Sequence, residues 1–397
     1  MNQRELFLRF VAQTSDEPML GYDMNIAKAE GSFLYDVNGK EYLDLISGIA
    51  VSNIGHRHPK VLESIRAQSE KYLHLMVYGE YNQRPQVEYA ALLCSLLPDP
   101  LNLVYFTTGG SEAVEGAMKL AKRASGRAEF ISFNNAYHGS TQGSMSLMGS
   151  EVFKQSFRPL LPGMKQLVFN NEDGLNQISE STAAVIIEPI QGEAGVMRAE
   201  ASFLKALRKR CNEKGALLIL DEIQSGFGRT GTLFAFQQYD IVPDVLLLAK
   251  GMGGGLPVGA FVASRDLMCT LCSDPVLGHI NTFGGNALCV AAAKATLEVI
   301  LEENLCEKAK DIQTLIQNTL KAKKIKSMRV CGALAAAEFD SEEVCKNVLR
   351  ACLEQGIISD WFLFCPGAMR IAPPLNIDLN KLESALRTIC SIIEREG

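Results

Sequence analysis

Short apolar runs alternate with helical patterns through the middle of this 397-residue chain. A strand buried on both faces of a parallel sheet is typical of such a short, continuous apolar run. Between the runs, apolar residues recur at helical spacing over 111–124, 200–214 and 286–304. Alternation of this kind predicts βαβ units, and therefore an α/β fold with a mostly parallel sheet flanked by helices. The strands are expected at 103–106, 129–133, 183–187, 216–220, 245–248 and 259–263.

The two ends of the chain have a different pattern. Residues 31–45 contain strand-like runs on either side of Asn38-Gly39, which predicts a β-hairpin. From about residue 305 the pattern reads helix, strand, helix, strand and helix, which indicates a smaller α+β domain. We therefore expect a large domain at 52–288 and a small domain built from both termini, 1–51 and 289–397, with a long connecting helix near 286–304.

Two neighbouring apolar runs are followed by residues of opposite charge. Asp221 comes directly after the run 216–220, and Lys250 follows the run 245–249 and precedes several glycines. Taken singly, the aspartate could be a helix cap and the lysine a solvated charge. Functional groups of α/β folds gather where parallel strands end, so the pair indicates one pocket that holds an acid and an amine. Burial lowers the pKa of an amine, which would make Lys250 a nucleophile for aldehydes.

A second feature indicates an anion site. Thr107-Thr108-Gly109-Gly110-Ser111 links the strand 103–106 to the helix 111–124. Free backbone N–H groups and the helix dipole attract an anion to such a helix start, and glycines let a phosphate approach closely. No Gly-Lys-Ser/Thr follows, so the segment is not a Walker A loop. A helix cap with a tight turn is the alternative interpretation.

Composition narrows the classes of function. A formal net charge of −6 argues against binding to nucleic acid or to an anionic membrane. Five histidines make metal clusters scarce, and Cys269 and Cys272 form a C-x-x-C pair without a second pair, so we expect no metal site. The 11 scattered cysteines predict reduced thiols. With no apolar run of membrane length and no secretory signal, we expect a cytoplasmic protein whose first segment is an amphipathic helix.

The residues around Asp221 and Lys250 carry a family resemblance. D-E-I-Q-S-G-F-G-R-T-G at 221–231 and A-K-G-M-G-G-G-L-P-V-G-A at 249–260 resemble the core of the class III aminotransferases, which use pyridoxal phosphate. The nearest group is that of the acetylornithine and ornithine aminotransferases. The resemblance implies fold type I of the pyridoxal-phosphate enzymes. It also implies transamination of an amino acid or ω-amine, of the ornithine or acetylornithine kind, with 2-oxoglutarate as the acceptor.

The same resemblance assigns roles to residues of this chain. It implies that Lys250 forms a Schiff base with the cofactor and then moves the substrate proton, while Asp221 keeps the pyridine nitrogen protonated. Glu193 is expected to pair with Arg370, and Arg370 to bind the substrate α-carboxylate. Thr282 is implied to reach the phosphate of a neighbouring subunit, which predicts a homodimer with shared active sites. The remaining residues implied to contact the cofactor are Gly110 and Ser111 at the phosphate, Tyr137 stacked on the ring, Gln224 at the ring hydroxyl, and Glu188.

Two positions depart from the family pattern. Gly109 stands where the family has a hydroxyl residue, and Ser140 stands where the acetylornithine and ornithine enzymes have an arginine. That arginine binds a substrate carboxylate in the acetylornithine enzymes, so the resemblance does not identify the amine donor here. An aminomutase of the glutamate-1-semialdehyde type, which needs no added keto acid, is the alternative activity. A scaffold without catalysis is disfavoured because Lys250 and Asp221 are both present.

Overall fold

The computed structural model describes residues 3–12 and 24–396 of the chain. Its helices are α1 (Gln3–Phe10), α2 (Ser47–Ala50), α3 (Pro59–Ser69), α4 (Arg84–Ser95), α5 (Gly110–Ser125), α6 (Gln142–Ser146), α7 (Ala201–Lys214), α8 (Arg265–Cys269), α9 (Ala287–Glu302), α10 (Leu305–Thr319), α11 (Glu342–Glu354) and α12 (Leu379–Glu396). Short 3₁₀ helices lie at Gln155–Phe157, Glu172–Gln177, Ala235–Gln238 and Lys250–Gly253.

The strands follow the same numbering along the chain. They are β1 (Ile26–Glu30), β2 (Phe33–Asp36), β3 (Glu41–Asp44), β4 (Leu103–Thr107), β5 (Glu129–Phe133), β6 (Met164–Leu167), β7 (Thr182–Ile187), β8 (Ile190–Gln191), β9 (Met197–Arg198), β10 (Leu217–Asp221), β11 (Val245–Leu248), β12 (Gly259–Ala263), β13 (Ser327–Cys331), β14 (Leu334–Glu338), β15 (Ile357–Ile358), β16 (Trp361–Phe362) and β17 (Cys365–Ile371).

A seven-stranded sheet forms the centre of the molecule, in the order β4-β12-β11-β10-β7-β5-β6. Neighbouring strands are parallel from β11 to β6, and only β12 runs antiparallel to its neighbours. Every residue of β7, β11 and β12 is buried, which explains why these strands appear in the sequence as unbroken apolar runs. The predicted mostly parallel sheet is confirmed, with each predicted strand placed to within one residue.

Helices cover the sheet and complete the predicted α/β architecture. Helix α5 packs on β11 and β12, whereas α7 packs on β7 and β10. Helix α5 ends at Gly126, whose φ of 68° lies in the left-handed region that favours glycine at a helix end. Helix α9 packs against α3 and α4 and leads directly into α10. The positions of α5, α7 and α9 confirm the helices expected from the sequence.

The N-terminal hairpin predicted at Asn38-Gly39 is confirmed. Strands β2 and β3 pair antiparallel, and the Gly39 backbone N–H donates to the Asp36 carbonyl at 3.0 Å. Gly39 has a φ of 83°, a conformation that the turn requires and that glycine adopts without strain. On its other edge β3 pairs parallel with β15, with Leu43 opposite Ile357. A segment near the start of the chain therefore shares a sheet with a segment near its end.

The C-terminal region contains more strands than the sequence predicted. A hairpin, β13 and β14, stands between α10 and α11 where one strand was expected, and three strands follow α11. The single-strand prediction was wrong because Gly332 is the only turn residue within the apolar run 330–337, and one glycine is a weak turn signal. Strands β13, β14, β17 and β16 form the second sheet of this region, which is the predicted smaller α+β part.

The N-terminal segment, the helices and the cysteines were the features used to predict where the protein is located. The first helix, α1, forms where an amphipathic helix was predicted. Across residues 3–12 and 24–396, no helix combines the length and the apolar character needed to cross a membrane. All 11 cysteines are free thiols.

Candidate active site

A cavity of about 440 Å³ opens where the parallel strands of the large sheet end. Its volume is within the range of small-molecule and cofactor sites. The residues that follow β4, β5, β7, β10 and β11 all contribute to its wall. Most of the site residues predicted from the sequence line this single cavity: Gly110, Ser111, Tyr137, Glu188, Glu193, Asp221, Gln224 and Lys250.

Asp221 is the last residue of β10 and is held through both of its oxygens. The Nδ1 atom of His138 lies 2.7 Å from Oδ2, and the Ile223 backbone N–H donates to Oδ1 at 3.0 Å. Asp221 and His138 are both buried, so water does not compete for these bonds. A buried carboxylate that is fixed in this way can present its remaining lone pairs to a cationic ring nitrogen.

Lys250 follows β11 by two residues and begins a 3₁₀ turn with a φ of 46°. That left-handed conformation is strained for a lysine, and such strain concentrates at functional sites. Burial lowers the pKa of the Lys250 amine, and the Arg370 guanidinium lowers it further, while the carboxylates of Glu193, Asp221 and Glu188 oppose the change. The net effect increases the neutral fraction of the amine, which is the form that attacks an aldehyde.

The opposite end of the cavity is built to receive an anion. Helix α5 begins here at Gly110, and its N-cap residue, Gly109, makes no side-chain capping bond. The first N–H groups of the 16-residue helix therefore keep their capacity to bind an anion. Gly139 borders Ser111, and a Cβ at Gly139 would collide with the Ser111 hydroxyl oxygen. The missing side chain at Gly139 leaves room for that hydroxyl beside the helix start.

Gln224 and Glu188 lie between these two ends. The Gln224 amide Nε2 donates to Glu193 Oε1 at 3.0 Å, whereas its own Oε1 is buried without a partner among the described residues. Glu188 accepts a hydrogen bond from the Tyr137 backbone N–H at 3.1 Å. Burial and the neighbouring Asp221 carboxylate raise the pKa of Glu188 well above its ordinary value. Gln224 therefore retains a free acceptor that suits a hydroxyl group on a ligand.

Arg370 and Glu193 form the predicted ion pair. The Arg370 Nη2 donates to both Glu193 oxygens at 3.0 Å, and its Nε donates to Asp360 Oδ1 at 2.7 Å. Burial by itself raises the pKa of Glu193, but the Arg370 guanidinium outweighs it and holds the pKa below its usual value. Burial raises the pKa of Asp360 to about 6, with the Arg370 charge opposing the shift. Arg370 thus connects the small C-terminal sheet to the cavity.

Thr282 is the one predicted site residue that lies away from this network. It lines a separate cavity with Thr108, Glu112, His279 and Asn281, and its hydroxyl is 3.3 Å from that of Tyr78. Asn281 and Thr108 both donate hydrogen bonds to Glu112, which connects this region to the start of α5. Thr282 therefore does not line the cavity that contains Lys250 in the same chain.

The residues present fit pyridoxal phosphate. Its phosphate matches the uncapped start of α5, its aldehyde matches the Lys250 amine, and its ring nitrogen matches the Asp221 carboxylate. The unpartnered Gln224 Oε1 can accept from the ring hydroxyl. Each functional group of the cofactor thus has a chemically suitable residue within one cavity.

Two residues of this network were missed in the sequence. His138 lies within the strand-end segment 135–139, and its position directly after Tyr137 was the available signal. Asp360 interrupts the apolar run 357–364, which is an unusual place for a carboxylate. Its partner Arg370 is known only once β16 and β17 are paired.

The known proteins that this chain resembles are aminotransferases, which is consistent with a site for pyridoxal phosphate. The chain matches the aminotransferase class-III family over residues 12–393. It is 38% identical over 400 residues to an acetylornithine aminotransferase of Methanopyrus kandleri, with 100% of each chain covered. It is 39% identical over 362 residues to that of Archaeoglobus fulgidus, covering 91% of this chain and 93% of the relative.

The fold of this chain is similar to that of a solved aminotransferase structure. The ornithine aminotransferase of Toxoplasma gondii, described with partial occupancy of PLP at its active site, superposes with a TM-score of 0.89 and 29% identity. The superposition covers 99% of this chain and 94% of that one. This likeness confirms the predicted fold of the pyridoxal-phosphate enzymes, and the family match extends over nearly the whole sequence. The chain therefore belongs to the class-III aminotransferases, a family of transaminases that depend on pyridoxal phosphate.

Proposed function

We propose that this enzyme transfers an amino group from an amino acid or ω-amine, of the acetylornithine or ornithine kind, to 2-oxoglutarate, with Lys250 as the residue that bonds to the cofactor. One observation carries the proposal: Lys250 and Asp221, from the ends of two paired parallel strands, line one cavity. The relatives named acetylornithine aminotransferase support the substrate class.

The protein's own groups supply proton transfer and charge stabilisation. When bound, pyridoxal phosphate supplies an aldehyde that bonds to an amine and a ring that accepts electrons. Lys250, whose pKa is lowered by burial, can take up and return a proton at the reacting carbon. Asp221 holds a proton at the ring nitrogen, and His138 fixes the Asp221 carboxylate for that role.

Arg370 is the group that we propose for the substrate α-carboxylate. Its guanidinium is buried and already binds a carboxylate, that of Glu193, which lines the cavity. Exchange of one carboxylate for another preserves both the charge balance and the fork geometry of the guanidinium. Near the mouth, the Tyr137 hydroxyl lies 3.1 Å from Ser140 Oγ, where the family arginine would stand. The distal part of the donor therefore meets hydroxyl groups at this position.

We also propose a homodimer in which Thr282 contacts the cofactor phosphate of the partner. Two segments that meet near Thr282 expose large apolar side chains, which include Leu73, Tyr81, Val87, Val276, Leu277, Ile280 and Phe283. An exposed apolar area of this kind is typical of a protein–protein interface. The Tyr78–Thr282 contact joins the two segments, so a second copy that covers them would also cover Thr282.

Mixing two inactive variants tests the shared site. In a dimer of Lys250→Ala with Thr282→Glu, one site would carry both changes and the other would carry neither. Mixing followed by subunit exchange should therefore restore activity that neither variant shows alone. The mass in solution, measured by light scattering, checks that a dimer forms. A mixture that stays inactive although mixed dimers are present would contradict the shared site.

Covalent trapping tests the role of Lys250. Protein incubated with pyridoxal phosphate should turn yellow, and borohydride should fix the cofactor to the peptide that contains Lys250. Lys250→Ala should lose this modification, whereas Lys60→Ala should keep it, because Lys60 pairs with Glu298 and Glu302 outside the cavity. Modification at another lysine in the unmodified sequence would refute the assignment.

A donor screen tests the reaction. Acetylornithine, ornithine and related ω-amines would each be supplied with 2-oxoglutarate, and glutamate formation would be followed. The aminomutase alternative is not favoured, because the matched relatives are aminotransferases. Turnover of a single substrate without an added keto acid would be the result that supports an aminomutase.

Two further expectations remain proposals of ours. We place the domain division at 52–288 against 1–51 plus 289–397, supported by the pairing of β3 with β15. The cytoplasmic location rests on the composition of the chain. Limited proteolysis with mass spectrometry tests the first, and localisation of a tagged full-length chain in its native cell tests the second.

A further inference from the structure

Arg370 is held by two carboxylates that belong to different parts of the fold. Its Nη2 donates to both oxygens of Glu193 at 3.0 Å, and its Nε donates to Asp360 Oδ1 at 2.7 Å. The Arg370 side chain is only 2% exposed, so both ion pairs are shielded from water. Two anions around one buried cation leave the cluster with a net negative charge. One carboxylate would suffice to neutralise Arg370, so the second carboxylate is not needed for charge balance.

The two carboxylates face different surroundings. Glu193 lines the cavity that contains Lys250, and it also accepts from Gln224 Nε2 and from the Leu363 backbone N–H. Asp360 stands in the segment that joins β15 to β16, and neither Asp360 nor Arg370 is among the residues that line the cavity. Glu193 is thus the member of the cluster that a substrate carboxylate in the cavity meets first, and Arg370 becomes accessible when Glu193 withdraws.

The donors of Arg370 are divided between two edges of its planar guanidinium. Nε, which binds Asp360, lies at one edge, and the opposite edge ends at Nη1, which is buried without a partner within the described part of the chain. When Glu193 withdraws, Nη1 and Nη2 together offer two parallel N–H donors to an incoming carboxylate. The Nε bond to Asp360 does not have to break during this exchange.

The segment around Asp360 encloses the guanidinium on other sides as well. The Trp361 carbonyl accepts from Nη2 at 3.2 Å, and the Phe362 ring lies 4.3 Å from the guanidinium carbon. The Arg370 backbone N–H donates to the Asp360 carbonyl at 2.8 Å, which fixes the two residues opposite each other. Asp360 is thus part of a rigid support for Arg370, built by the pairing of β16 with β17.

We propose that Asp360 is a positioning residue, which keeps the Arg370 guanidinium in place through Nε while Glu193 and the substrate α-carboxylate exchange at its other edge. The inference rests on the proposed role of Arg370 in substrate binding. With Asp360 in place, Arg370 keeps one carboxylate partner throughout the exchange between Glu193 and the substrate carboxylate. Without Asp360, Arg370 loses the ion pair that does not depend on the exchange, and Nε no longer holds the guanidinium in its orientation.

The test separates carboxylate binding from the chemistry of amino transfer. Enzyme loaded with pyridoxamine phosphate would be mixed with either 2-oxoglutarate or butanal, an acceptor without a carboxylate, and followed by stopped-flow absorbance. For Asp360→Ala we expect the half-saturating concentration of 2-oxoglutarate to rise about tenfold or more, with a limiting rate within about threefold of the unmodified enzyme. The rate with butanal should be unchanged. Asp360→Asn, whose amide oxygen can still accept from Nε, should restore most of the affinity.

Arg370→Met separates the positioning role of Asp360 from the substrate-binding role of Arg370. If Arg370→Met weakens 2-oxoglutarate binding and Asp360→Ala does not, the positioning role is wrong while the proposed function stands. If Arg370→Met leaves binding unchanged, the assignment of Arg370 fails and the inference fails with it. An equal loss with 2-oxoglutarate and butanal in Asp360→Ala would show a general structural effect and would also overturn the inference. Thermal unfolding of each variant confirms its fold, and Asp360→Leu, which is close in size but has no acceptor for Nε, provides the measurement if Asp360→Ala does not fold.

Discussion

The Nδ1 atom of His138 lies 2.7 Å from the Oδ2 atom of Asp221, and both side chains are buried. Because an ionised carboxylate can only accept hydrogen bonds, the proton of this contact belongs to Nδ1 of His138. The other ring nitrogen, Nε2, has no partner among the described residues. This pair fixes the orientation of Asp221, the residue that we assign to the ring nitrogen of the cofactor.

Replacing His138 should slow the enzyme without unfolding it. His138→Phe removes the only side chain that hydrogen-bonds Asp221 within the described residues. We expect the first half-reaction to slow by about tenfold or more, equivalent to at least ~1.4 kcal/mol of lost stabilisation. Single-turnover absorbance with an active donor measures this rate.

Asparagine provides the matched control for His138. The amide nitrogen of Asn can occupy a position close to that of the imidazole Nδ1 and donate to Asp221. His138→Asn should therefore keep a larger part of the rate than His138→Phe. Equal rates in the two variants would mean that the hydrogen bond does not matter for catalysis.

Gly109→Ser should strengthen cofactor binding. Gly109 has an extended φ of −177°, which any residue adopts, and a Cβ at this position meets no atom within 4 Å. Serine would supply the hydroxyl group that the family carries beside the phosphate. A hydrogen bond to a charged group contributes ~1.5–3 kcal/mol, so we expect the dissociation constant of pyridoxal phosphate to fall about tenfold. Fluorescence titration of the cofactor-free protein measures it.

Gly109→Ala and Gly139→Ala are the controls for the predicted effect of Gly109→Ser on cofactor binding. Gly109→Ala fits the same space without a hydroxyl and should leave the affinity nearly unchanged. Gly139 has a φ of 124°, and its new Cβ would push the Ser111 hydroxyl away from the start of α5. Gly139→Ala should therefore weaken binding, and a tight complex in this variant would argue against a phosphate at Ser111.

The pH dependence of cofactor capture should follow the charges around Lys250. The neutral amine is the nucleophile, and burial lowers its pKa, so the capture rate should rise with pH and level off below the ordinary lysine value of 10.5. Glu193 raises the pKa of Lys250 and Arg370 lowers it. The midpoint should move to lower pH in Glu193→Gln and to higher pH in Arg370→Met.

Opposite shifts in those two variants are the diagnostic result. The rate would be measured by absorbance after mixing cofactor-free protein with pyridoxal phosphate over a range of pH. The remaining ionisable groups near the amine, Asp221 and Glu188, are unchanged in both variants. A midpoint that does not move in either variant would show that these charges do not set the reactivity of Lys250.

Arg229 should be essential for stability. Its side chain is fully buried, donating to the carbonyls of Ala333 and Pro373 at 2.9 and 2.6 Å and to Asn53 Oδ1 at 2.6 Å. Arg229→Met leaves these acceptors unpaired, which should lower the free energy of unfolding by about 3–5 kcal/mol. Arg387→Met, which removes an exposed pair with Glu383 within one helix, should cost no more than about 0.5 kcal/mol. Denaturant unfolding compares the two variants, and similar midpoints would contradict the prediction.

The sequence was most informative where local pattern and buried environment coincide. Strands β10 and β11 are short apolar runs because they are buried on both faces, and the polar residues after them mark the edge where ligands bind. The sequence pattern alone therefore assigns Asp221 and Lys250 to one pocket. The hairpin at Asn38-Gly39 was equally clear, because its turn needs a residue that tolerates positive φ.

Contacts between distant segments could not be predicted in this way. Asp360 pairs with Arg370 through a strand register that no local pattern records, and His138 reaches Asp221 from a different strand end. The hairpin of β13 and β14 was missed because Gly332 is a single weak turn signal in an apolar run. In each case the decisive information lies in pairing across the fold.

The parallel pairing of β3 with β15 has a consequence for biosynthesis. The N-terminal hairpin leaves the ribosome long before its last strand partner, Ile357–Ile358, has been made. Until then β3 presents an unpaired edge, which is a common starting point for aggregation. Completion of this sheet is therefore a late event in translation, and nascent chains that stop short of residue 357 should depend on chaperones that shield strand edges.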